Sequence, residues 1–299
     1  MSEAPGSVRR WVLAARLRTL PAALVPVIAG MSTVIHNGRH TEIKPLNTVL
    51  AAFISLALQV GTNYANDYSD GIKGTDEKRV GPFRLTASGL VPAARVKYAA
   101  FACFGVAAMA GLVLASRVSW WLVPLGATAI VAGWFYTGGP KPYGYYGFGE
   151  FFVFIYFGLV ATLGTADVQC GPLSHWSWFE AAACGLAAVC LLQANNIRDI
   201  DGDRESGKKT IAARIGRVRS GQLYVATVAG VLIFLFLSGL EGDPLISALA
   251  AVFVAAGYRP AIKLALSSSH GRDLLPMLAE SARAQLLLGL ALLVVNVAR

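Results

Sequence analysis

The chain has 299 residues, of which 55% are hydrophobic and only 14% charged, with a mean hydropathy of +0.55. A soluble domain carries about a quarter charged residues, so the composition excludes a large soluble core and points to one polytopic membrane domain. The net charge of +9 would suggest nucleic-acid binding in a soluble protein; here the bases fall in loops and helix ends between apolar runs, which speaks for membrane topology and anionic partners and against nucleic acid.

The N-terminal stretch carries Arg9, Arg10, Arg16 and Arg18. The last two interrupt the apolar region that a cleavable signal needs, so an interfacial basic stretch leading into a first span near Leu20 is expected. Nine apolar segments follow in order: 19–36, 46–66, 98–116, 120–137, 148–167, 178–197, 221–239, 245–263 and 277–297. Each is long enough to cross about 30 Å of hydrocarbon as a helix, and helices satisfy their own backbone in lipid. The expected fold is therefore an all-α polytopic membrane protein of about nine transmembrane helices. If two segments merge, the expected place is 245–263 with 264–276.

Loop charge sets the expected orientation. The connection 67–97 holds Lys73, Lys78, Arg79, Arg84, Arg95 and Lys97, and the connection 198–220 holds Arg198, Arg204, Lys208, Lys209, Arg214, Arg217 and Arg219. The alternate connections hold only Arg39, Lys44 and Arg117. The positive-inside rule places the N-terminus and both basic loops in the cytoplasm and, with nine spans, the C-terminus outside. Cys103, Cys170, Cys184 and Cys190 have neither metal nor disulfide spacing and read as small core residues. His36, His40, His175 and His270 form no ligand-like cluster.

Chemistry concentrates at the ends of the second and sixth segments. The first cluster comprises Asn63, Asn66, Asp67, Asp70, Lys73 and Asp76; as a helix it places Asn63, Asp67 and Asp70 within a stripe of about 60°. The second comprises Asn195, Asn196, Arg198, Asp199, Asp201 and Asp203, with Asn195, Asp199 and Asp203 on one face if the helix persists past Ile200. The two halves of the single domain 1–299, roughly 10–145 and 146–299, thus echo one another. Carboxylates at membrane helix ends are costly without positive charge among them. Oxygen-rich clusters on two helices suit Mg²⁺, which takes carboxylate, amide and water oxygens and bridges to substrate phosphates. Lys73, Lys78, Arg79, Arg84, Arg198, Lys208 and Lys209 are then expected to clamp the outer phosphate oxygens. The competing reading is of ordinary cytoplasmic loops whose aspartates balance lysines.

These segments resemble the paired motifs of the UbiA superfamily of intramembrane prenyltransferases, Asn-Asp-x-x-Asp-x-x-x-Asp and Asp-x-x-x-Asp. Asn66, Asp67 and Asp70 match the first, although position 74 is Gly and the next aspartate is Asp76; Asp199 and Asp203 match the second. The run from Asn66 to Asp76, Gly81-Pro-Phe-Arg84, Tyr136-Thr-Gly-Gly-Pro-Lys141-Pro-Tyr143 through Glu150, and Arg16-Leu-Arg18-Thr-Leu-Pro21 are similar to the 1,4-dihydroxy-2-naphthoate polyprenyltransferase branch. The likeness runs from about residue 10 to the C-terminus. It implies nine helices around a central cavity in a bacterial plasma membrane. The implied reaction is transfer of a polyprenyl group from its diphosphate to 1,4-dihydroxy-2-naphthoate, with loss of diphosphate and carbon dioxide, giving demethylmenaquinone.

The implied cofactor is Mg²⁺, two ions bridging the diphosphate. The expected metal set is Asn66, Asp67, Asp70, Asp76, Asn195, Asp199 and Asp203. Lys73, Arg84 and Lys141 are candidates for catalytic contact with phosphate or carboxylate, against a plain topology signal. Asn63, Arg79, Asn196, Arg198 and Lys208 are expected near the substrates. Tyr136, Tyr143, Tyr145 and Tyr146 either line the cavity and face the cation or anchor the interface, and Glu150 is expected to orient Lys141 or a substrate hydroxyl. Two rival classes remain: a transporter, which would place its charges near the bilayer midplane, and a CDP-alcohol phosphotransferase, which needs a denser aspartate-glycine signature in one loop.

Overall fold

A computed structural model describes residues 6–36, 43–75, 81, 83–170 and 173–298. Among these residues every regular element is helical. Helix α1 (Ser7–Ala14) and a 3₁₀ turn (Leu17–Thr19) lead into α2 (Pro21–His36), followed by α3 (Pro45–Ile72), α4 (Ala93–Arg117) and α5 (Leu122–Phe135). After a 3₁₀ turn (Tyr143–Tyr146) comes one run built of α6 (Gly149–Val153), a π-helical stretch (Phe154–Val160) and α7 (Ala161–Cys170). The chain continues as α8 (Trp176–Arg198), the short α9 (Ile200–Glu205), α10 (Ile211–Ser238), α11 (Pro244–Leu266) and α12 (Leu275–Val297).

Each of the nine apolar segments coincides with a helix. Seven are long and apolar enough to cross a membrane, and the bent pair Ser7–Thr19 and Pro21–Ile35, meeting at 51°, forms an eighth candidate. The short member is α5 and not 245–263, which lies inside the 23-residue α11. With 14 residues α5 reaches about 21 Å. Its limits have local causes: exposed Trp120 and Trp121 precede it, side chains suited to a membrane–water boundary, and Gly138-Gly139-Pro140 breaks the chain after it, with Gly139 at φ 76°.

Helix α8 is the hub of the packing. Its small residues Ala181, Ala183, Cys184, Gly185, Ala187 and Ala188 are buried, as suits association in lipid, where close backbone approach replaces the hydrophobic drive. Gly158 meets Gly185 so closely that a Cβ on Gly158 would lie 2.4 Å from the Gly185 Cα. Helices α10, α11 and α12 close around α8 through Tyr224, Val228, Tyr258, Met277 and Leu288. Tyr224 and Ser281 share a 2.7 Å hydrogen bond, and Asn296 donates to Ser32 Oγ at 2.9 Å, tying α12 to α2. Cys184 and Cys190 are buried and Cys103 half-buried, all as free thiols. On the other side of α8, helices α3, α4, α5 and the 149–170 run enclose a cavity of about 570 Å³.

Candidate active site

Helix α3 continues unbroken to Ile72, so the first polar cluster is helical from Asn63 to Asp70. Asn63, Asn66 and Asp70 line the cavity. The Asn63 amide donates to the Ala15 carbonyl at 2.9 Å and to Thr19 Oγ1 at 3.1 Å, fastening the elbow between α1 and α2. Arg16 sits in that elbow with a left-handed φ of 56° and also lines the cavity. Such a conformation costs a non-glycine residue free energy and gathers at functional sites. Asn66 Oδ1 accepts the Thr137 hydroxyl at 2.8 Å. Asp70 is 2% exposed: Oδ1 accepts the Tyr145 hydroxyl at 2.6 Å, while Oδ2 lies 3.1 Å from Lys208 Nζ and 3.7 Å from Arg84 Nη2.

The second cluster straddles a helix junction. Helix α8 ends at Arg198 and Asp199 leaves helical geometry, yet the i to i+4 ladder carries across: the Asp199 amide donates to the Asn195 carbonyl at 3.0 Å and the Asp203 amide to the Asp199 carbonyl at 2.8 Å. Asn195, Asp199 and Asp203 therefore keep one face, and all three line the cavity with Asn196. Arg198 pairs bidentately with Asp199 at 2.7 Å for both bonds. Asp203 Oδ2 accepts the Thr210 hydroxyl at 3.1 Å, and Asn196 donates to Glu150 at 3.0 Å, so Glu150 orients an amide and not Lys141. The loop before α10 is tied down by the Lys209 amide donating to the Tyr145 carbonyl at 2.7 Å.

Several expected residues lie elsewhere. Asp67 does not line the cavity; both its oxygens accept backbone amides, from Leu85 at 2.8 Å and Thr86 at 2.9 Å. On the helical wheel it stands about 60° from Asp70, at the edge of the stripe and facing the neighbouring turn. Lys141 is exposed and Tyr146 is exposed, both outside the cavity, because the Gly-Gly-Pro turn carries that segment outward. Lys73 Nζ donates to the Thr137 and Gly139 carbonyls at 2.8 and 3.3 Å, and lines a smaller outer hollow with Tyr146 and Lys209. Burial holds the Lys73 pKa below the usual lysine range; nearby Asp70 opposes the shift and Lys208 adds to it. Asp76, Lys78 and Arg79 lie outside the described residues. Arg16, Thr137 and Thr210 line the cavity and were not among the expected site residues; Arg16 and Thr137 stood in noted motifs and Thr210 in none, and the fold-back at Arg16 shows only in the backbone.

Among the described residues no three of His, Cys, Asp or Glu converge closely enough to hold a metal ion by themselves. The donors facing the cavity are nonetheless all oxygens, amides of Asn66 and Asn195 and carboxylates of Asp70, Asp199 and Asp203, spread over two helix ends. That set fits Mg²⁺ completed by phosphate oxygens and water, the usual mode for this ion, and not an all-protein cage.

The rest of the cavity is aromatic and then apolar. Tyr143 packs against Phe152 with tilted rings 4.1 Å apart and meets Tyr136 edge-on at 5.6 Å. The Tyr143 hydroxyl donates to the Ala132 carbonyl at 2.9 Å; burial, with Tyr156 nearby, pushes its pKa up, so the phenol stays protonated. Lys73 and Lys208 each place Nζ 4.7 Å from the centroid of the Tyr145 ring. Beyond these rings the lining is Ile54, Leu58, Gly111, Leu125, Ile130, Val160 and Gly164. Leu112 and Val123 line the cavity while 48% and 38% exposed, so it opens sideways between α4 and α5.

The sequence matches the UbiA prenyltransferase family over residues 23–280. A 1,4-dihydroxy-2-naphthoate octaprenyltransferase of Mycobacterium tuberculosis is 42% identical over 294 residues, covering 95% of this chain and 96% of that one. The fold is similar to the apo structure of a UbiA homolog from Aeropyrum pernix K1, with a TM-score of 0.68, 16% identity, and coverage of 91% and 97% of the two chains. It is also similar to a UbiA homolog from Archaeoglobus fulgidus bound to DMAPP and Mg²⁺, with a TM-score of 0.65, 12% identity, and coverage of 95% and 99%. With two aspartate-bearing helix ends facing one cavity and the match covering most of its length, the chain belongs to the UbiA prenyltransferase family.

Proposed function

We propose that the chain transfers a polyprenyl group from polyprenyl diphosphate to 1,4-dihydroxy-2-naphthoate, releasing diphosphate and carbon dioxide and giving the prenylated naphthoquinol, the reduced form of demethylmenaquinone. The observation that carries this reading is a cavity graded along its length: oxygen donors and cations at one end, an aromatic collar, then an apolar reach that opens to lipid. The relative named for that reaction supports the choice of acceptor, and the Mg²⁺-bound structural neighbour supports the metal.

Asn66 and Asp70 on one side, and Asn195, Asp199 and Asp203 on the other, would hold two Mg²⁺ ions bridging the diphosphate. Bound there, the metal draws off the charge that develops on the leaving oxygen. Lys208, Arg84 and Arg16 add positive charge around the same oxygens, fixed in place before reaction, and so favour the charged leaving group over the bound ester. Tyr145 holds Asp70 in position through its hydroxyl. The faces of Tyr136, Tyr143, Phe152 and Tyr156 flank the allylic carbon as it gains positive character, and the apolar walls keep water from it. The naphthoate ring, electron-rich and flat, fits the collar. The tail follows Leu58, Ile130 and Gly164 to the opening beside Leu112 and Val123. In a bacterial cell membrane the site faces the cytoplasm, consistent with the loop charge.

Purified protein in detergent, given Mg²⁺ and a polyprenyl diphosphate, is offered 1,4-dihydroxy-2-naphthoate and 4-hydroxybenzoate in parallel. The expected result is a prenylated, decarboxylated naphthoquinol that is lost with EDTA. Reaction with 4-hydroxybenzoate alone overturns the acceptor, and no reaction with either overturns the reading.

A further inference from the structure

Asp67 follows the cavity-lining Asn66 in sequence and yet faces another way, and what it faces leads back to the site. It is fully buried, and its two oxygens take the amides of Leu85 and Thr86. One helical turn on, Gly71 lies against the same residue: a Cβ there would come within 2.4 Å of Thr86 Cγ2 and 2.5 Å of Thr86 Cβ. Leu85 is itself fully buried in the cluster with Tyr64, Val96 and Phe104. The residue just before this clamped pair is Arg84, 7% exposed, whose guanidinium returns to Asp70 and lines the cavity.

We propose that Asp67 is a positioning residue that acts through Arg84. Its carboxylate and the bare face of Gly71 dock the turn 85–89 against the end of α3, and that docking holds the Arg84 guanidinium on the diphosphate. A carboxylate is the suitable side chain because it accepts two amides at once, whereas an asparagine would turn an N–H₂ toward one of them. A glycine is required at 71 because Thr86 is β-branched and stiff, so an added methyl moves the turn and not merely a rotamer. The first motif thus divides its labour: Asp70 faces the ligand, and Asp67 sets the cation opposite it. The inference rests on the diphosphate reading above.

The test is binding of inorganic diphosphate with Mg²⁺ to the full-length protein in detergent, by calorimetry. It compares wild type, Asp67→Asn, Gly71→Ala, Arg84→Ala and the Asp67→Asn/Arg84→Ala double variant, each checked for monodispersity. Asp67→Asn and Gly71→Ala are each expected to weaken binding about tenfold, close to Arg84→Ala, as befits a charge-assisted contact. The double variant is expected to bind no more weakly than Arg84→Ala, and the Mg²⁺ concentration for half-saturation to stay unchanged throughout. Gly71→Ala keeps the carboxylate and introduces a better helix former, so it answers the question even if Asp67→Asn folds poorly. Additive losses in the double variant, or a several-fold rise in the Mg²⁺ requirement with Asp67→Asn, would make Asp67 a metal ligand and overturn the proposal. Wild-type affinity in Gly71→Ala would overturn the clamp. If wild type itself binds no Mg²⁺-diphosphate, the functional reading falls and takes this inference with it.

Discussion

Asp70→Asn removes one charge and little else. The amide keeps an oxygen for the Tyr145 hydroxyl, so the 2.6 Å contact survives and the loss falls on Lys208 at 3.1 Å and Arg84 at 3.7 Å. Side chains at this site are 3% exposed for Asp70, 10% for Lys208 and 6% for Arg84, so solvent screens them little. Each pair is worth about 5 kcal/mol before desolvation at an effective dielectric of about 20, and stripping one partner from a buried pair costs about 3–5 kcal/mol. In the reaction the same change removes a carboxylate from the metal-bridging set. Comparable losses of preorganised charge cost about 3–4 kcal/mol in the transition state, or about 100- to 1000-fold in kcat. Turnover of a labelled polyprenyl diphosphate, read beside a thermal melt, separates the two effects: the melt should fall modestly and the rate by at least about 100-fold. A rate within about threefold of wild type, in folded protein, would remove Asp70 from the diphosphate site.

Lys208→Met should raise KM for the donor about tenfold or more, the value of a charged hydrogen bond, and leave KM for the naphthoate unchanged; steady-state kinetics in both substrates decides. Gly164 faces the cavity with nothing within 4 Å of an added Cβ, so Gly164→Leu should cut kcat/KM for a long polyprenyl donor while sparing a geranyl one. Arg16→Gly should relieve left-handed strain of about 1 kcal/mol, raising the melting temperature while donor KM worsens. Lys141→Ala should leave both KM values and kcat at wild-type level, because the side chain is exposed and outside the cavity.

Much of this fold was legible because lipid simplifies the code: long apolar runs must be helices, and all nine runs are. What escaped was length and bend. Segment 120–137 reads as a span until Gly138-Gly139-Pro140 and the tryptophan pair are seen to cut α5 to 14 residues. The second cluster was readable as a face because i to i+4 bonds continue through the Asp199 junction. For Asp67 a wheel gives angle but not neighbour; a stripe of about 60° is wide enough to touch both the cavity and the turn that supplies the Leu85 and Thr86 amides. Lys141 sat in a shared motif, yet the same glycines that mark the motif turn its side chain outward. Arg16 was hidden for a different reason: its place depends on an elbow held from 48 residues away by Asn63, a contact no local pattern encodes.

In the proposed reaction the ends of α3 and α8 grip one diphosphate through metal in a shared cavity. The most direct measurement is a structure of the protein with Mn²⁺ and an unreactive prenyl thiodiphosphate, with the metal located by anomalous scattering. Mn²⁺ is expected within coordination distance of oxygens from both Asn66–Asp70 and Asp199–Asp203, with Asp67 still on the Leu85 and Thr86 amides. Metal held by one helix end alone, or at a place outside the cavity, would contradict it.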